Sequence, residues 1–81
     1  MWSVYVIRSK SDEIYYVGMS TNIISRINEH NAGKSKFTSG HRPWELIYFE
    51  DNFPSAVEAR KREKYLKSAA GKKFISKKIS E

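Results

Sequence analysis

Apolar positions alternate at the start of the chain. Trp2, Val4 and Val6 fall on one side and Ser3, Tyr5 and Ile7 on the other, and residues 2–8 are rich in β-branched and aromatic types, a pattern that predicts a strand. A polar turn, Ser9-Lys10-Ser11-Asp12-Glu13, leads to a second β-rich run from Ile14 to about Met19, which together signal a hairpin. The period then changes. Ser20-Thr21-Asn22 offers N-caps for a helix from about Asn22 to Asn31, with Ile23, Ile24 and Ile27 as its apolar face and Gly33 just past its end. Residues 33–42 read as a polar loop, and Pro43 leads into a third strand, Trp44 to Glu50. Asp51-Asn52-Phe53-Pro54 reads as a turn. Ser55 and Glu58 have the spacing of a capping box. The helix they open is expected to reach about Ala70 and stop at Gly71. A last short helix, about Lys72 to Lys78, places Ile75 and Ile79 four residues apart. The order β-β-α-β-α-α is α+β, and a three-stranded antiparallel sheet flanked by helices is the economical arrangement.

Length and composition narrow the class. With 81 residues and neither repeat nor linker, one domain over residues 1–81 is expected. Hydrophobic residues are 40% and aromatics 14%, enough for a core, which argues against disorder. Cysteine is absent, so neither disulfides nor thiolate zinc staple the fold. The apolar runs are too short to span a membrane, and the N-terminus lacks a cationic segment before an apolar one. The expected location is the cytoplasm.

Charge changes the picture more through its placement than through its total of +6. Residues 1–50 carry six Lys/Arg against five Asp/Glu, and residues 51–81 carry nine against four. Between Arg60 and Lys78 there is one acid, Glu63. That asymmetry suits a polyanionic partner, and a solvated lysine-rich helix explains it about as well. Lys34, Lys36, His41 and Arg42 beside Phe37 resemble a nucleic-acid contact loop, with Lys72 and Lys73 as further contacts, and an ordinary surface loop accounts for them equally well.

Three sets of residues carry candidate chemistry. Ala59, Glu63, Leu66 and Ala70 share one helical stripe, so Glu63 places a carboxylate on an apolar face. A buried charge needs a partner or a metal, so Glu63 is either a ligand for a hard cation such as Mg²⁺ or half of a salt bridge to Arg60, Arg62 or Lys67. Arg26 and His30 stand four apart on one helix face. The guanidinium suits a phosphate and the imidazole can donate or shuttle a proton; an exposed polar face is the plainer reading. Tyr5 and Tyr16 converge if the hairpin brings them to one sheet face, and a phenol beside a cation can hold a water or act as a base; core tyrosines with their hydroxyls at the surface are the plainer reading. Gly18, inside a strand, hints at close backbone approach. Trp2, Trp44 and Phe53 are either core or an exposed apolar patch for a protein partner.

Taken together, these residues resemble the GIY-YIG endonuclease domain, in its small stand-alone bacterial branch described as excinuclease-like or YhbQ-like. Val4-Tyr5-Val6 stands at the first tripeptide, Tyr16-Val17-Gly18 at the second, and Arg42-Pro43-Trp44-Glu45-Leu46-Ile47-Tyr48 is also similar to that branch. Arg26-x-x-x-His30 falls on the first helix and Glu63 at the metal-binding glutamate of the family. The resemblance implies a nuclease that hydrolyses nucleic-acid phosphodiester bonds, with DNA repair or recombination as the expected setting and DNA as the expected partner. It implies that Tyr16 serves or helps the general base, Tyr5 supports it, and His30 positions the nucleophile or the tyrosine. It further implies that Arg26 stabilises phosphoryl charge, Gly18 leaves room for substrate, and Glu63 holds Mg²⁺ or another divalent cation such as Mn²⁺. Tyr5, Tyr16, Arg26 and Glu63 should then surround one cleft. Met19 replaces a lysine, and Gly71-Lys72-Lys73-Phe74 an asparagine, of some members. A catalytically inactive nucleic-acid-binding module of the same fold is the alternative.

Overall fold

Strands β1 (Trp2–Ser9), β2 (Tyr15–Ser20) and β3 (Trp44–Phe53) form an antiparallel sheet of order β2-β1-β3 in a computed structural model that describes residues 1–81. The register sets Tyr5 opposite Gly18 and Ile7 opposite Tyr16 on one side, and Val6 opposite Tyr48 on the other. Paired residues share a face, so the hairpin brings Tyr5, Tyr16 and Gly18 to one side of the sheet. Val4, Tyr5, Val6 and Ile7 are all buried, because the central strand is covered on both faces. One face packs Val4, Val6 and Val17 against Ala59, Leu66 and Ile75; the other packs Tyr5, Ile7 and Trp44 against Ile14, Tyr16, Ile23 and Ile27.

Helix α1 (Ile23–Asn31) covers the tyrosine face. It starts as its sequence indicates, with the Asn22 side chain accepting from the Ser25 N–H. Its last residue, Asn31, clamps the start of β3 through both amide atoms: Oδ1 accepts from Trp44 N–H at 2.6 Å and Nδ2 donates to Trp44 O at 3.1 Å. The segment between them is not simply a loop, since Lys36–Ser39 forms a short helix, α2. Four residues are too few for a helical hydrophobic period to be visible.

Helices α3 (Ala56–Lys67) and α4 (Ala69–Ser80) cover the opposite face. Ser55 caps α3 by accepting from Glu58 N–H. The expected break at Gly71 is displaced to Ser68, which ends α3 by donating its N–H to Tyr65 O and caps α4 by accepting from Gly71 N–H. Gly71 is buried inside α4, where a Cβ would run into the backbone of Tyr65 and Leu66. Its role is close helix approach, not termination. Ala70 accordingly belongs to α4 and is exposed, outside the stripe of Ala59, Glu63 and Leu66. The third strand also outlasts Glu50, continuing through Asp51 and Asn52 to pair Phe53 with Trp2.

The reading of Trp2, Trp44 and Phe53 as an exposed patch is overturned. Trp44 is buried with Tyr5 and Ile7, while Trp2 and Phe53 are half-buried against the other core. A polar tie fixes α3 on β3. Arg62 forks onto both Glu50 oxygens at 2.7 and 2.8 Å, and the Tyr48 hydroxyl donates to the same carboxylate at 2.5 Å. Engaged in this way, Arg62 is not the partner of Glu63, and it sets the rotation of the helix that presents Glu63.

Candidate active site

Close packing begins at Gly18. The Tyr5 ring lies across it, so that a Cβ there would stand 2.6 Å from Tyr5 Cζ and 3.1 Å from Tyr16 Cε1. Only glycine leaves room for both rings, and the Tyr5 hydroxyl thereby reaches over the edge strand.

That hydroxyl lies 2.9 Å from Nε2 of His30, whose Nδ1 lies 2.8 Å from Thr38 Oγ1. Thr38 donates its own proton to Ser35 O, so it accepts from His30 Nδ1–H. Nε2 of the neutral ring is then the acceptor and Tyr5 the donor. The protonation tendencies agree. Burial pushes the Tyr5 phenol up to about 12, with Arg26 opposing and the Tyr16 and Glu63 charges adding to the rise. Burial, and then the Arg26 charge, pull His30 below its usual range. The result is a buried chain of neutral groups, with Tyr5 1% and His30 0% exposed. The exposed polar helix face considered for His30 is thus excluded. Thr38 has no signature in the sequence beyond being polar in a loop; α2 alone delivers it.

Arg26 sits one helical turn before His30, half-exposed, and donates from Nη1 to Glu29 Oε1 at 2.7 Å. Its charge favours the ionised form of the Tyr5 phenol, against the effect of burial. Tyr16 packs its ring edge-on to His30 with centroids 5.0 Å apart and stacks on Phe37 at 6.1 Å. Tyr5, Tyr16, Arg26, His30 and Gly18 are therefore gathered on one face.

Glu63 comes from the other helix layer. Helix α3, which carries it, packs against β1 and β2 from the face opposite the tyrosines, and the Glu63 charge is the smallest of the influences on the Tyr5 phenol. Its side chain is 12% exposed and meets Lys67 Nζ at 3.8 Å. The salt-bridge reading is thus met in a loose form, at a distance that leaves carboxylate oxygens available. No group of three or more His, Cys, Asp or Glu side chains gathers anywhere, so a cation at Glu63 has to complete its shell with water and phosphate oxygens. That donor set fits a hard divalent cation.

The other nucleic-acid candidates divide. Lys72 lines a groove along the outer edge of β2. Lys73, Lys34 and Lys36 are exposed outside it. His41 and Arg42 are tied to their own chain at the surface: His41 Nδ1 meets Asp12 Oδ2 at 2.5 Å, and the exposed Arg42 donates from Nε to Ser39 O at 2.9 Å with its guanidinium over Gly33. No helix is long and apolar enough to cross a membrane.

The chain is similar to several known proteins. Residues 1–78 match the model of the GIY-YIG catalytic domain. A UPF0213 protein of Staphylococcus haemolyticus is 41% identical over 66 residues, covering 80% of this chain and 78% of that protein. The mouse structure-specific endonuclease subunit SLX1 is 44% identical over 48 residues, which are 54% of this chain and 18% of that protein. The solution NMR structure of a UPF0213 protein from Bacillus halodurans has a TM-score of 0.55 and 33% identity, covering 95% of this chain and 84% of that one.

Proposed function

The chain belongs to the GIY-YIG catalytic domain family, and we propose that it is a metal-dependent endonuclease, acting as one domain in the cytoplasm on DNA that arises in repair or recombination. The observation that carries the proposal is the buried Tyr5–His30 pair gathered with Tyr16 and Arg26 on one face of the sheet, to which the largely buried Glu63 carboxylate of α3 would add the metal ligand. The resemblance to a 48-residue stretch of mouse SLX1, a structure-specific endonuclease subunit, supports a nucleic-acid substrate.

Hydrolysis needs a deprotonated water, charge stabilisation on the phosphoryl oxygens and a path for the leaving oxygen. Tyr16 serves or assists the base that takes the proton of the attacking water. Tyr5 stays protonated and donates to His30, which leaves its oxygen lone pairs to accept from Arg26 or a water. His30, its tautomer fixed by Thr38, holds Tyr5 in place. Arg26 exchanges Glu29 for the non-bridging phosphate oxygens, where a guanidinium fork fits. Glu63 holds one divalent cation, Mg²⁺ or Mn²⁺. When bound, the cation supplies Lewis-acid charge at the phosphoryl and leaving oxygens.

The test is incubation with nicked, flapped, branched and single-stranded DNA, with Mg²⁺ or with EDTA. Cleavage that requires the metal and is lost in Glu63→Ala supports the proposal. Binding without cleavage, indifferent to EDTA and to Glu63→Ala, identifies the inactive binding module instead.

A further inference from the structure

The groove along the outer edge of β2 has a volume of about 700 Å³, within the usual range for small-ligand sites. Tyr15, Tyr16 and Ile75 line it together with Phe37, Lys67 and Lys72. Phe37 is 56% exposed although its ring stacks on Tyr16, and Tyr15 is also exposed. The groove thus offers aromatic surface to solvent. Its only charged lining residues are the two lysines, with Glu63 one turn from Lys67 and only loosely paired to it. Flat, apolar and cationic together describe a site for an aromatic group that carries negative charge. A second copy of this chain would bring its own surplus of +6 to the same lysines, which disfavours self-association there.

Resting on the nuclease reading above, we infer that this groove stacks an unpaired base next to the scissile phosphate, and so selects strands with a single-stranded nucleotide at that point. Tyr16 belongs to both places: one side of its ring environment is His30, the other is Phe37 and the groove. A strand with its phosphate at Arg26 can lay the neighbouring base beside Phe37, with the following phosphates at Lys67 and Lys72. Every base has a π-face, so such a site tolerates sequence. Bases within an intact duplex already have both faces stacked and cannot enter.

The test is fluorescence anisotropy in EDTA, so that binding is read without cutting. The probes are a short oligothymidylate, the same strand made abasic, and a blunt duplex. Base stacking on a protein ring predicts that Phe37→Ala weakens oligothymidylate binding about 5- to 150-fold. The abasic strand should bind the wild type correspondingly weakly and be indifferent to Phe37→Ala, and duplex binding should not change. Equal affinity of the wild type for abasic and normal strands overturns the inference, and so does an equal loss on duplex and single strand. The abasic comparison needs no variant, so it stands even where Phe37→Ala misfolds. NMR shifts at Tyr15, Phe37 and Ile75 should appear with oligothymidylate; the same shifts produced by raising protein concentration alone point to self-association and overturn it. A protein that binds in this way but never cuts fails the hydrolysis proposal and keeps the groove. One that cuts without base-dependent binding does the reverse.

Discussion

Tyr5 and His30, 25 positions apart in the chain, share a buried hydrogen bond of 2.9 Å from a strand to a helix. The bond joins the hairpin to α1, and Thr38 completes it from α2. Folding and the site's protonation state are therefore linked. His30 is held below its ordinary value of 6.5 by burial and by Arg26. As pH falls below about 6.5 the unfolded chain takes a proton that the native ring resists, so native stability declines with acidification. Thermal unfolding across mildly acidic pH should show this decline in the wild type, and His30→Gln should remove it. At neutral pH His30→Gln should also destabilise by about 1–3 kcal/mol, because Tyr5 and Thr38 lose a buried partner.

The alkaline side has the opposite origin. Tyr5 and Tyr48 are both raised from 10.0 to about 12, chiefly by burial, with the Glu50 hydrogen bond adding to the rise at Tyr48. Stability from these phenols is complete below pH 10 and is lost as pH climbs towards 12. The loss is at most about 1.4 kcal/mol per pH unit for each tyrosine. Alkaline unfolding curves of Tyr5→Phe and Tyr48→Phe should each be flatter than the wild type.

Gly18→Ala probes the close approach of the two tyrosines. The new Cβ meets Tyr5 Cζ at 2.6 Å, and Tyr5 is buried with no space to retreat. An overpacking penalty of about 1–3 kcal/mol is expected, with movement of the Tyr5 and His30 ring resonances. An unchanged melting temperature and unchanged ring shifts contradict this geometry.

These probes rely on features that differ in how far the sequence reveals them. The hairpin, α1 and its cap at Asn22, the cap at Ser55 and the shared face of Tyr5 and Tyr16 follow from local pattern. Gly71 misleads because glycine marks a helix end and a tight helix crossing with the same letter; only the backbone of Leu66 beneath it decides. The depth of His30 is equally hidden. An R-x-x-x-H helix face looks solvated until α2 and the Asn31–Trp44 clamp fold the following segment over it. Glu63 is recognisable as an anomaly on an apolar stripe, yet the seating of α3 that presents it depends on the Arg62–Glu50 tie, a contact between residues 12 apart that no local period records.

Arg26 rests on Glu29 in the free protein. A phosphate must displace that carboxylate, so Glu29→Gln should tighten nucleic-acid binding. An exposed pair of this kind is worth about 0–1 kcal/mol, which sets the gain at up to about fivefold at low salt and less at high salt. Salt titrations of binding by wild type and Glu29→Gln measure it. Weaker binding by the variant would mean that Glu29 orients Arg26 rather than competing for it.

The central claim joins Glu63 to the tyrosine face in one hydrolytic site. Single-turnover cleavage of flapped DNA in Mg²⁺, comparing the wild type with Glu63→Gln, tests it most directly. Loss of a group that supports transition-state charge is expected to slow cleavage about 100-fold or more, with circular dichroism and melting temperature close to the wild type. Cleavage by Glu63→Gln at the wild-type rate, or no metal-dependent cleavage by the wild type, contradicts it.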